Sequence, residues 1–96
     1  MLVQQEIPTI IFTGKTTVAA AGTRVVLAGN TIIKSVSIKA LATNTGLIYV
    51  GNSSVVAANG FQLSAGDTVS MSISNLATVW IDCSVNGEGV SYLAIN

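Results

Sequence analysis

The 96-residue sequence has no histidine, one cysteine, one proline and eight charged side chains, four basic and four acidic. Each scarcity excludes something. Without histidine, Ser-His-Asp and Cys-His nucleophilic chemistry have no base. A single thiol, Cys83, cannot close an internal disulfide, which fits synthesis in a reducing compartment. With no histidine, one thiol and no acidic cluster, no metal site of ordinary type is expected, and no cofactor. The basic residues Lys15, Arg24, Lys34 and Lys39 are scattered through a chain of zero net charge. Nucleic acids and anionic membranes are bound by clustered cations, so neither is an expected partner. Long apolar runs are missing too. Half the residues are apolar and mean hydropathy is +0.67. Yet the apolar stretches at 7–12 and 18–27 are broken well short of the roughly 18 residues that span a bilayer. Residues 1–6 lack the cationic start of a secretory signal. We expect a non-secreted, soluble chain.

The shortage of charge has a physical consequence. Charged residues make up 8% of the chain, where about 25% is ordinary. Mass scaling gives a folded monomer of this size about 5,200 Å² of surface, or about 650 Å² per charge. A free monomer so sparsely charged would be sticky. Much of its surface is therefore expected to be covered by a partner or by copies of itself. A chain this short makes one domain, or one domain and an arm.

What the sequence does have is a period of two. Val36, Ile38, Ala40 and Ala42 alternate with Ser35, Ser37 and Lys39, and Val69, Met71 and Ile73 alternate with Thr68, Ser70, Ser72 and Ser74. Such alternation marks strands with one wet face. Further strands are predicted at 15–20, 23–28, 47–50, 61–63, 78–85 and 88–95, separated by turn signals at Gly29-Asn30, 44–46, 64–67 and Asn86-Gly87. The interval 51–60 is a polar loop. No segment holds a helical period. About seven or eight short strands at this spacing predict an all-β antiparallel sandwich, jelly-roll-like. We place a single β-sandwich domain at 15–96. Residues 1–14, with the only proline, form either an edge strand or an arm that pairs with a neighbouring subunit.

Asn86-Gly87 is a strong hairpin signal, because a type I′ turn needs positive φ at both central positions. A two-residue loop there would pair Val85 with Glu88, Cys83 with Val90, Ile81 with Tyr92 and Val79 with Ala94. One face of that hairpin would be a core stripe. On the other, Trp80 would lie opposite Leu93 and diagonal to Ile95. Trp80 then has two readings. It fills the core between two sheets, or it joins Leu93 and Ile95 in an apolar association patch.

Apparent catalytic motifs fail on inspection. Gly14-Lys15-Thr16-Thr17 looks like the end of a phosphate-binding loop, but Thr9 stands where the first glycine is needed and no helix follows. Glu6, Asp67, Asp82 and Glu88 form no close pair of the kind glycoside hydrolysis uses. Cys83, between Ile81 and Val85 on one face, reads as a small buried hydrophobe. We expect no catalytic residue and no enzyme activity.

Asn44-Thr45-Gly46-Leu47-Ile48-Tyr49-Val50-Gly51 is followed by Gly60-Phe61-Gln62-Leu63-Ser64-Ala65-Gly66-Asp67. The chain closes on Gly89-Val90-Ser91-Tyr92-Leu93. Together these resemble small all-β virion proteins of tailed bacteriophages, the capsid decoration or cement proteins and the domains of head fibres. The resemblance covers residues 32–96. It implies a sandwich or jelly roll that assembles on a capsid, often as a trimer, with no catalytic residues. On it we expect a structural protein of the virion surface, made in the host bacterial cytoplasm. Its partners would be the major capsid protein and itself. The expected contacts are Ile7, Ile10, Ile11 and Phe12 from the N-terminal segment, with Trp80, Leu93 and Ile95. A receptor- or glycan-binding module of a head fibre or tail is the alternative, using the 51–60 loop and an exposed Tyr49 or Tyr92. A head–tail joining protein is a third reading.

Overall fold

A computed structural model describes residues 9–96. Eight strands are present: β1 (Ile11–Thr17), β2 (Val25–Val26), β3 (Ser35–Ala40), β4 (Ile48–Gly51), β5 (Phe61–Leu63), β6 (Thr68–Ser72), β7 (Trp80–Cys83) and β8 (Gly89–Ile95). A single 3₁₀ turn, Leu76–Thr78, precedes β7, and the Asn75 side chain caps it by accepting from the Ala77 N–H. The strands form two four-stranded antiparallel sheets. The front sheet runs β1-β8-β3-β6 and the back sheet β2-β7-β4-β5. The protein is an all-β sandwich, as the alternation implies, and its strand order is that of a jelly roll.

The pairing rule is simple. β1 pairs with β8, β2 with β7, β3 with β6 and β4 with β5, as if one long hairpin had been rolled up. Only β4 and β5 are both consecutive and hydrogen-bonded. The hairpin expected around Asn86-Gly87 is therefore corrected. β7 and β8 belong to opposite sheets, Cys83 pairs with Ile48, and Val90 pairs with Thr16 and Ala40. The turn itself exists, with Gly87 at φ +82°, a value glycine reaches without a Cβ clash. It carries the chain from the back sheet to the front one. The turn at 64–67 makes the same kind of crossing from β5 to β6.

Face parity was legible even where pairing was not. Val79, Ile81, Cys83, Val90 and Ala94 all point into the core, each 2% exposed or less, but they do so from two facing sheets. Val85, expected in that stripe, is 41% exposed, because the chain has already turned away. From β3, Val36, Ile38 and Ala40 complete the buried layer opposite Ile48, Val50 and Ile81. Strand β1 runs without a break through residues 14 and 15 along the edge of the front sheet, so residues 11–14, the last part of the expected N-terminal segment, belong to an edge strand. Residues 1–8, including Ile7, lie outside the described residues.

Candidate interaction face

The outer faces of the two sheets have opposite characters. On the back sheet, Tyr49 and Asp82 are cross-strand neighbours that point outward. Two loops bury them. The 51–60 loop seats Val55 against Gly51 and brings Gly60 onto Tyr49, so close that a Cβ at Gly60 would lie 2.4 Å from the Tyr49 Cβ. Tyr49 is left 7% exposed and Val55 2%. From the other side, the Gly22 N–H donates to Asp82 Oδ1 at 3.0 Å, and the Cys83 N–H donates to the same oxygen at 2.8 Å. The two loops are tied together by the Arg24 guanidinium, which donates to the Ser53 carbonyl.

Among the described residues no loop covers the front sheet in this way, and its outer face can be read as three rows across β1, β8, β3 and β6. The first is Ile11, Ile95, Ser35 and Ser72. The second is Thr13, Leu93, Ser37 and Ser70. The third is Lys15, Ser91, Lys39 and Thr68. Seven of these twelve positions are serine or threonine, and none carries negative charge. The Ser37 and Ser70 hydroxyls bond to each other at 2.8 Å. An apolar corner forms where Ile11 (68% exposed) and Leu93 (49%) stand beside Ile95, with Ile10 just beyond. Next to it lies a shallow concavity of about 550 Å³ bounded by Thr13, Lys15, Ser37, Lys39, Thr68 and Ser91. Its floor depends on Gly14, whose missing side chain admits the inward-turned ring of its partner Tyr92.

The front face thus unites Ile11, Leu93 and Ile95, three of the residues expected to make contacts, and Ile10 adjoins them. It does not include the others. Phe12 points inward and packs on the core. Trp80 sits half-buried on the outer side of the back sheet, beside Val26 and Gly51. It is therefore neither part of the core between the sheets nor a neighbour of Leu93. That correction follows directly from placing β7 and β8 in different sheets. Tyr49 and Tyr92, expected to be exposed if the chain is a receptor- or glycan-binding module, are buried and half-buried respectively, whereas the 51–60 loop named with them is largely exposed. Lys15 and Lys39 were not singled out from the sequence. The alternation put Lys39 in line with Ser35 and Ser37, but nothing local indicated that Lys15 lies two strands away in the same row.

The described acidic side chains are spent elsewhere. Glu88 accepts from the Thr45 N–H at 2.5 Å, the Gly46 N–H at 2.8 Å and the Thr45 hydroxyl at 3.0 Å, binding the 44–46 turn to the start of β8. Chiefly the Thr45 amide bond holds its carboxyl below the usual glutamate range. Asp67 accepts from the Ser64 N–H at 3.0 Å within its own turn. Cys83 is buried, and desolvation, with Asp82 beside it, pushes its thiol above the ordinary range.

A second opening lies between the sheets along the β5–β6 side. Phe61, 59% exposed, faces the half-buried Val69, Met71 and Ile73 across an apolar cleft of about 390 Å³. No family model matches the chain, and no curated protein matches it with significance.

Proposed function

We propose that the chain is a structural virion protein of a tailed bacteriophage. It is a decoration or cement protein that sits on the capsid surface as a homotrimer and bridges neighbouring subunits of the major capsid protein. The observation that carries this reading is the outer face of the front sheet, which no described loop covers. Serine and threonine hydroxyls are cheaper to desolvate than charges, so such a face is suited to both water and a partner. The apolar corner at Ile11, Leu93 and Ile95 supplies surface whose burial favours association, at about 25 cal/mol per Å². The motif resemblance and the low charge support the same reading, and the resemblance supplies the trimer. Contacts made only in the assembled shell stabilise that shell by mass action.

The test uses the purified chain and heads stripped of it. Saturable co-sedimentation, a raised temperature of DNA release, and a solution mass of three copies are expected. A monomer that neither sediments with heads nor protects them overturns the reading.

A further inference from the structure

We propose that the Lys15–Ser91–Lys39 row of the front sheet is a docking site for a carboxylate-bearing segment of the protein partner. The proposal rests on the reading of the front face as the side that meets the capsid, and it adds the chemistry of what that partner must present.

Charge bookkeeping over the described residues points there. Asp67, Asp82 and Glu88 each accept backbone amide protons of this chain. Arg24 donates to the Ser53 carbonyl, and Lys34 donates to the Asn96 side chain at 3.3 Å. Lys15 and Lys39, both exposed, have no hydrogen-bond or ion-pair partner among the described residues. They flank Ser91 in one row, Lys15 from β1 and Lys39 from β3. Two strand spacings put their Cα atoms about 10 Å apart. Both ammonium groups can therefore reach one carboxylate held above the Ser91 hydroxyl, which is itself a donor. Among the described residues, a neutral chain thus carries two free lysine charges together, on a face that no described loop covers.

The same arrangement selects against a second copy as the occupant. Two front faces stacked on each other would offer the lysines either lysines or the apolar row, with no carboxylate in any of the three rows to meet them. A partner with aspartate or glutamate opposite the row gains two charge-assisted bonds. A basic or purely apolar partner gains none.

The experiment titrates the isotopically labelled full chain with an acetylated, amidated hexaglutamate peptide and follows the backbone amides by NMR. Saturable shifts centred on Lys15, Lys39 and Ser91 are expected, fading as salt screens the contact. In the K15Q/K39Q variant binding should weaken about tenfold, the sum of two exposed ion pairs. An unchanged thermal midpoint would show that the variant folds. The proposal is overturned if there is no shift, if shifts lie elsewhere, or if the variant binds as well as the parent. An equal response to inorganic phosphate or to phosphatidylserine vesicles also overturns it, since the row would then be a general anion patch. Head binding separates this proposal from the one it rests on. A parent that binds heads with a variant that does not supports both. Equal binding by parent and variant ends the carboxylate proposal and leaves the cement reading standing. A parent that binds hexaglutamate but not heads ends the cement reading alone.

Discussion

Both sheets of this sandwich are four-stranded and antiparallel, yet among the described residues one outer face is roofed and the other is bare. On the back sheet, an aspartate and a tyrosine point outward and are sealed by loops 19–24 and 51–60. On the front sheet, hydroxyls, two lysines and an apolar corner face outward with no described loop above them. The difference separates two ways of handling a polar group. The back sheet internalises its carboxylate and satisfies it with backbone amides. The front sheet keeps groups that cost little to leave in water and little to cover later.

This contrast can be broken by mutation, and the largest effect belongs to the roofed side. Asp82 is 2% exposed, and replacing it with alanine leaves the Gly22 and Cys83 N–H groups without their acceptor. Asp82→Ala should cost about 3 kcal/mol, read as a lower urea midpoint. A loss near zero would mean that the loop is not anchored there.

A smaller effect belongs to Glu88, which joins the 44–46 turn to β8. Its folded pKa is depressed from 4.5, so its stabilising contribution is present above the unfolded pKa. That contribution is lost as pH falls through the folded value. Urea midpoints should therefore drop on acidification below about 4.5, and Glu88→Gln should flatten that part of the profile. An unchanged profile would show that the three bonds to Thr45 and Gly46 contribute nothing net. The smallest effect on folding belongs to the bare side. Leu93→Ser should change stability by no more than about 0.5 kcal/mol, while weakening attachment to heads. A large stability loss would show that the corner is structural rather than a contact surface.

Much of this fold was legible in the sequence because alternation is a local property. Val36, Ile38 and Ala40 on one face of β3, or Val69 and Met71 on one face of β6, reveal themselves without any knowledge of neighbours. Turn positions were legible for the same reason, since Gly66 and Gly87 both adopt the positive φ that their turns need. Pairing is not local. Asn86-Gly87 indicates that the chain reverses, and a reversal into the same sheet or into the facing one looks identical in sequence. The grouping of Trp80 with Leu93 and Ile95 came from that ambiguity. The candidate site suffered similarly. Leu93 and Ile95 share a strand and could be grouped at once, whereas Lys15 and Lys39 meet only across β8. The roof over Asp82 and Tyr49 was invisible because its two halves come from segments about thirty residues apart.

The rolled pairing also sets an order of events. β8 is the last of the eight strands in the chain, yet it lies inside the front sheet, bonded on one side to β1 and on the other to β3. During synthesis, β1 has no partner until residues 89–95 emerge. The back sheet can begin sooner, since β4 and β5 are near neighbours in sequence. Contacts between such distant segments slow folding. The unroofed face is thus complete only when the last strand joins it, and a partner that needs its β1 and β8 rows meets only the finished chain.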